Sequence, residues 1–162
     1  MDSTVWRSTM GKFATGVTII TTIDTEGNPM GMTANAFTSL SLDPPLVLIC
    51  IDNKSGTLTQ LLASKKYCVN LLASSQENLS RIFARRGGAE KFENVPYSAG
   101  VTGVPVLDGC LASVECMVTN VVEGGDHLIL VGEGIQIHEV GDATEPLIFY
   151  KGKYEKLNKD VV

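Results

Sequence analysis

Two long strand-like runs, residues 111–122 and 128–140, flank Glu123-Gly124-Gly125-Asp126, and this pairing constrains the fold more than any other feature. Glycines supply the positive φ that tight hairpins use, and both arms carry the β-branched residues that suit a pleated surface. A chain with so long a hairpin is committed to an antiparallel sheet. Further runs agree: residues 17–24, 46–51, 67–71 and 146–150 read as strands, and Thr25-Glu26-Gly27-Asn28 turns the first of them into residues 30–36. Helices are few. Residues 3–15 read as one, with Trp6, Met10 and Phe13 on one face, Ser3 as N-cap and Gly16 as the stop. Residues 57–64 form a second, with Leu58, Leu61 and Leu62 inward, and residues 76–84 a third, using Leu79, Ile82 and Phe83. Residues 87–105 read as a Gly/Pro-rich connection. Strands joined by hairpin-like links, without alternating long helices, predict a mainly β fold with a few short helices. Its architecture is an antiparallel barrel, closed or split.

At 162 residues the chain predicts a single domain over residues 1–162. A hydrophobic content of 44% with 19% charged residues places it among globular rather than disordered chains. The net charge of -5 argues against nucleic-acid binding, which needs a cationic face; Arg81, Arg85, Arg86 and Lys91 form one local basic spot. The opening residues show no leader pattern and no run is apolar enough to span a bilayer, so a cytoplasmic, membrane-free protein is expected. Four cysteines make no disulfide framework. Cys110 and Cys116 read as lying on one strand roughly 20 Å apart, too far to bridge each other, while Cys50 and Cys68 sit in apolar strand runs. Without a Cys/His ligand cluster, no metal site is predicted.

Residues 31–45 carry small and hydroxyl side chains where a core strand would carry Val, Ile or Leu. Such a run suits a backbone that approaches a planar ligand and offers it N–H, C=O and hydroxyl groups, and it also reads as a plain Gly/Ser-rich loop. The buried-strand pattern of residues 46–51 then leads to Asp52-Asn53-Lys54-Ser55-Gly56-Thr57. There Ser55 can cap a helix, and free N–H groups with the helix dipole favour an anion. A plain N-cap beside a solvated lysine is the commoner meaning of such residues. Arg85-Arg86-Gly87-Gly88 could line an anionic ligand, but a basic helix C-terminus with a glycine stop is the more usual account of such a run. His127 opens a strand after a turn, and His138 reads as surface. No P-loop, zinc-peptidase or nucleophile-elbow motif occurs, and two histidines leave little for a triad. Chemistry that needs no acid–base side chain fits best, so no catalytic residue is assigned; hydride transfer borne by a cofactor is one example.

Taken in chain order, several segments resemble one family. They are Met10-Gly11-Lys12-Phe13-Ala14-Thr15-Gly16-Val17, the block 31–45, Val69-Asn70-Leu71-Leu72 with Gln76, Phe83-Ala84, residues 111–116, Gly124-Gly125-Asp126-His127, Gly132, Pro146-Leu147 and Gly152-Lys153-Tyr154. Together they resemble the flavin reductase-like family, FMN-binding split barrels that serve as small reductase components of two-component flavin-dependent monooxygenases. The resemblance implies a homodimer with noncovalent FMN or FAD near the subunit interface, NADH or NADPH as hydride donor, and a separate oxygenase that receives reduced flavin. By position it implies that Thr33, Ala34, Asn35 and Ala36 contact the flavin ring and ribityl chain, and that Ser39, Leu40 and Ser41 bond near the ring. Cys50, Ile51 and Asp52 would line the ring, Lys54, Ser55 and Thr57 would take the phosphate, and Phe83 and Ala84 would close the pocket. His127 and Tyr154 would face the nicotinamide nucleotide. Glu155 departs from the His or Arg of many relatives, which weakens any phosphate contact from that tail. Two rival readings are a pyridoxamine-phosphate-oxidase-type enzyme on a related barrel and a flavin-binding electron carrier without a nicotinamide site.

Overall fold

The computed structural model describes residues 1–139 and 145–157. Helix α1 (Ser3–Met10) precedes strands β1 (Thr15–Gly16), β2 (Thr18–Ile23), β3 (Pro29–Ala34), β4 (Phe37–Leu42) and β5 (Pro45–Asp52). Helix α2 (Gly56–Ser64), β6 (Lys66–Leu71) and α3 (Glu77–Phe83) follow, then β7 (Tyr97–Ala99) and β8 (Pro105–Leu107). The long hairpin is β9 (Ala112–Gly124) and β10 (His127–Glu139), and the chain continues through β11 (Ile148–Tyr150) and β12 (Lys153–Glu155).

Seven strands form one antiparallel sheet in the order β3-β2-β6-β9-β10-β5-β4. Laid flat, such a sheet is roughly 29 Å across. Its two edge strands, however, are joined only by Asn35-Ala36, a link that reaches roughly 10 Å. The sheet must therefore roll until its edges meet. Among the described residues β3 and β4 share no ladder, so the barrel is closed by the covalent link and split along that seam.

Alternation decides what fills it. Ile20, Ile49, Ile51, Tyr67, Val69, Cys116 and Leu130 point into one core, which Leu58 and Leu61 of α2 close. Gly132 is required there, because a Cβ at that position would clash with the Tyr67 hydroxyl and ring. On the other face of β2, Val17 and Ile19 join Leu72, Phe83, Phe92, Leu107 and Leu147 in a second cluster. Strand β2 is thus covered on both sides, which explains its unbroken β-branched run. Its hydroxyls are satisfied internally: Thr18 donates to the Ala34 carbonyl at 2.6 Å, and Thr22 to that of Lys66 at 2.8 Å. No helix among the described residues is long and apolar enough to cross a membrane.

The structure departs from the sequence reading in several places. Helix α1 is shorter than expected and its cap is Asp2, whose Oδ1 accepts from the N–H groups of Thr4 and Val5 at 2.8 and 3.0 Å. The apolar face of that helix, Trp6 and Met10 with Phe13 beyond its end, is exposed rather than packed, and so is Leu62 on α2. Residues 37–42, read as part of a loop-like run, form strand β4, and the polar tail holds β12. Residues 87–105 include β7 and a 3-10 turn, Ala89–Phe92. Strand β9 begins at Ala112, so Cys110 precedes it; all four cysteines are free thiols. The predicted strand end at Val140 lies outside the described residues.

His138 is not a plain surface residue. Its Nε2 lies 2.7 Å from Oε1 of Glu115, which is fully buried. That carboxylate also accepts from the Val101 N–H at 3.0 Å, the Thr102 N–H at 2.7 Å and the Thr102 hydroxyl. Burial pushes its pKa up, but the bonds from Thr102, His138 and Val101 outweigh this and hold it below the usual carboxylate value. A side chain at residue 100 would collide with this carboxylate, so the loop closes over Glu115 only with Gly100 in place.

Candidate functional site

Two helix ends meet above β3. Ser55 caps α2, its Oγ accepting from the Thr57 N–H at 3.3 Å, and the turn before it is tied by the Lys54 N–H donating to Asp52 at 2.7 Å. The C-terminus of α3 brings Phe83 and Ala84. Between them lies a cleft of about 540 Å³ lined by residues that include Thr33, Asp52, Lys54, Ser55, Thr57, Phe83 and Ala84. All seven of these come from the residues named on sequence grounds. Arg85, Arg86 and Lys91 line the same cleft.

Of the two readings that the sequence leaves for those arginines, the fold favours the one that lines a cleft over the ordinary basic helix end. A basic pair after a helix has one appearance whether it compensates the dipole or faces a ligand; only the fold puts it opposite Lys54. Lys91 has a different task. It is nearly buried, its Nζ donates to the carbonyls of Gly31 at 2.7 Å and Arg85 at 3.1 Å, and burial lowers its pKa. It ties β3 to the end of α3. Arg81 turns away from the cleft, pairing with Glu77 at 2.7 Å and stacking 4.7 Å from the Tyr154 ring centre.

The small-residue run also gains a specific meaning at Gly31. A Cβ there would lie 2.9 Å from Phe83 Cε1 and 3.2 Å from the Ile20 carbonyl. The planar group that this glycine admits is the Phe83 ring, which then forms the cleft wall. At Gly56, by contrast, a Cβ would meet nothing within 4 Å, so that part of the α2 N-terminus faces open space.

A smaller cavity of about 230 Å³ adjoins the first, sharing Thr33 and Ala84 and adding Val17, Ala34, Asn35, Phe149 and Tyr154. The Thr33 hydroxyl donates to the Ser80 carbonyl at 2.6 Å, and Asn35 Nδ2 reaches Thr15 Oγ1 at 3.3 Å. Asn35 also borders, with Ala36 and Cys50, a broad apolar groove of about 780 Å³ beneath α1, lined further by Trp6, Met10, Phe13, Phe37 and Leu48. Burial raises the Cys50 thiol pKa, so it is no activated nucleophile.

Other named residues lie apart. Ile51 is fully buried in the barrel core because it alternates with Cys50 and Asp52, so its side chain reaches none of the clefts. Ser39, Leu40 and Ser41 lie on β4, where the register shifts between Ser39 and Ser41; Ser39 and Leu40 are exposed. His127 pairs in register with Asp52, which lines the larger cleft, but itself lines none of these clefts, and its Nδ1 lies 2.7 Å from the Asp126 carboxylate. Contact with His127 lowers the Asp126 pKa.

The donor set fits a phosphorylated planar cofactor. A capped helix N-terminus with Ser55 and Thr57 hydroxyls and Lys54 suits a phosphate, Arg85 and Arg86 face it, and Phe83 and Met32 supply apolar wall. No side chain in these clefts is arranged as a base beside a nucleophile, so the site is built to bind and orient.

Known proteins with this arrangement point one way. The chain is 38% identical over 160 residues to the flavin-dependent monooxygenase reductase subunit HsaB of Rhodococcus jostii, covering 99% of this chain and 80% of that one. Among solved structures, nitrilotriacetate monooxygenase component B from Mycobacterium thermoresistibile superposes with a TM-score of 0.94 at 39% identity, over 99% of this chain and 89% of that one. The Streptomyces globisporus NADH:FAD oxidoreductase SgcE6, solved with NAD and FAD fragments, gives a TM-score of 0.92 at 36% identity, over 99% and 96% of the two chains. Residues 10–158 match the flavin reductase like domain, and the chain belongs to that family.

Proposed function

We propose that the chain is an NAD(P)H:flavin oxidoreductase, the reductase component of a two-component flavin-dependent monooxygenase. It takes a hydride from NADH or NADPH onto FMN or FAD and supplies reduced flavin to a separate oxygenase. One observation carries the reading: Thr33, Lys54, Ser55, Thr57, Phe83 and Ala84 converge on a single cleft in a chain of this family.

The flavin, when bound, supplies the hydride-accepting ring. Lys54, Ser55 and Thr57 hold its phosphate, with Arg85 and Arg86 adding positive charge from the facing wall. Ala34, Asn35 and Ala36 lie along the seam where the ring and ribityl chain are bound, and Phe83 backs the site. Ser39, Leu40, Ser41, Cys50 and Asp52 remain assigned to the flavin, and Ile51 can contribute through its backbone alone. His127 and Tyr154 face the nicotinamide nucleotide. Positioning and exclusion of water are the protein's share of the chemistry, so no side chain serves as a base.

The active form is a homodimer in the cytoplasm. The exposed Trp6, Met10 and Phe13 beside the apolar groove support a second copy, since a monomer rarely leaves such a patch uncovered. Four free cysteines support a reducing compartment.

Mixing the protein with FMN or FAD and NADH, and following the visible absorbance of oxidised flavin, tests the activity. Rapid bleaching is expected. Flavin binding without bleaching would identify an electron carrier instead and overturn the reductase reading.

A further inference from the structure

We propose that Ser80 is a positioning residue that sets the coenzyme wall of the site against the flavin wall. The inference rests on the reductase reading above. Ser80 lies in α3 and is fully buried. Its main chain and its side chain serve two different elements. The carbonyl accepts the Thr33 hydroxyl of β3 at 2.6 Å, and the Oγ lies 2.8 Å from the Tyr154 hydroxyl of β12.

Thr33 lines both clefts and Tyr154 only the smaller, so one residue spans the two. Strand β12 pairs with β11, which pairs with β1, and this small sheet is separate from the seven-stranded barrel. The entry to the hairpin is fixed to the barrel by main-chain bonds, the Leu147 N–H donating to the Leu72 carbonyl at 3.0 Å. Its far arm is not. There the Tyr154 main chain is held only to its neighbour β11, opposite Phe149, and its side chain stands on ring contacts, an edge against Phe149 at 5.5 Å and the Arg81 guanidinium at 4.7 Å, and on the bond to Ser80. Ring contacts let a tyrosine slide and rotate, whereas a hydrogen bond to a buried hydroxyl fixes where its oxygen sits. Ser80 therefore determines how far Tyr154 stands from Thr33, and hence the width of the smaller cleft.

The test separates the two halves of Ser80. Ser80→Ala keeps the carbonyl that holds Thr33 and removes the hydroxyl that holds Tyr154. It should raise the NADH KM about five-fold while flavin Kd stays within about two-fold. Tyr154→Phe, which keeps the ring contacts, should do the same, and the double variant should be no worse than either single one. Hydrogen exchange of residues 148–155 should quicken in Ser80→Ala whether or not the protein turns over flavin, so the coupling is measured even if the wild type fails to bleach flavin and the reductase reading falls. Unchanged exchange, an unchanged NADH KM in an active enzyme, flavin affinity falling in step with the KM, or additive losses in the double variant would each overturn the proposal.

Discussion

Replacing Glu115 by Gln removes one charge and adds two hydrogens at the most enclosed carboxylate among the described residues. Oε1 faces the Val101 N–H and His138, and Oε2 faces the Thr102 N–H and hydroxyl. Whichever way the new amide is turned, its NH2 group meets a main-chain N–H, donor against donor. One buried donor loses its partner, at about 1–3 kcal/mol, and the remaining bonds lose their charge assistance. A total of about 2–4 kcal/mol follows, which for a chain of this length lowers Tm by roughly 5–15 °C. Thermal melting and urea midpoints at neutral pH measure it. The pH dependence gives a second signature. Because the folded carboxyl titrates below its unfolded value, its contribution is complete above about pH 4.3 and is lost as the pH falls through the folded pKa. Wild type should therefore lose stability on acidification more steeply than Glu115→Gln. A variant within about 0.5 kcal/mol of wild type, or one with the same acid slope, would refute the account of Glu115 as the anchor of its loop.

Tyr67→Phe should leave Tm unchanged or raise it, because the buried Tyr67 hydroxyl has only the weakly bonding Cys116 thiol beside it; a clear fall would reveal a stronger partner for that oxygen. Gly31→Ala should displace the Phe83 ring, costing about 1–3 kcal/mol and weakening flavin binding, read by melting and by flavin fluorescence. Ser55→Ala should cost about 0.5–2 kcal/mol through the lost cap and weaken FMN more than riboflavin, and an unaltered FMN Kd contradicts the phosphate assignment. His127→Ala should raise the nicotinamide KM more than it disturbs flavin affinity, and unchanged kinetics would remove its role.

The parts of the fold that were legible in the sequence are those whose side chains announce a period. Strand β2 and the β9–β10 hairpin carry β-branched runs, and Leu58 with Leu61 marks the inner face of α2. Strand β4 was hidden because Thr38, Ser39 and Ser41 give no apolar alternation; its place is set by the ladder to β5. Strand β12 was hidden in a polar tail, with Tyr154 its one aromatic. At the site, the Lys54-Ser55-Gly56-Thr57 turn could be read because capping is local chemistry. For the facing Arg85 and Arg86 the sequence left two readings open, since their meaning depends on two helix ends separated by the whole of β6. His138 was misread for a related reason: its partner Glu115 lies across the hairpin, and strand residues far apart in number meet only once the register is known.

Rolling the sheet shut with Asn35-Ala36, rather than with a ladder between β3 and β4, leaves a slot whose rims are main chain. In a fully paired barrel those amides and carbonyls would be occupied by one another. Here the tether does the work of closure, and its carbonyls are taken locally: Ala34 by the Thr18 hydroxyl, Asn35 by the Phe37 N–H and Ala36 by the Cys50 N–H. Closure thereby rests on covalent and main-chain bonds, so side chains along the slot can vary without loosening the cylinder that carries them.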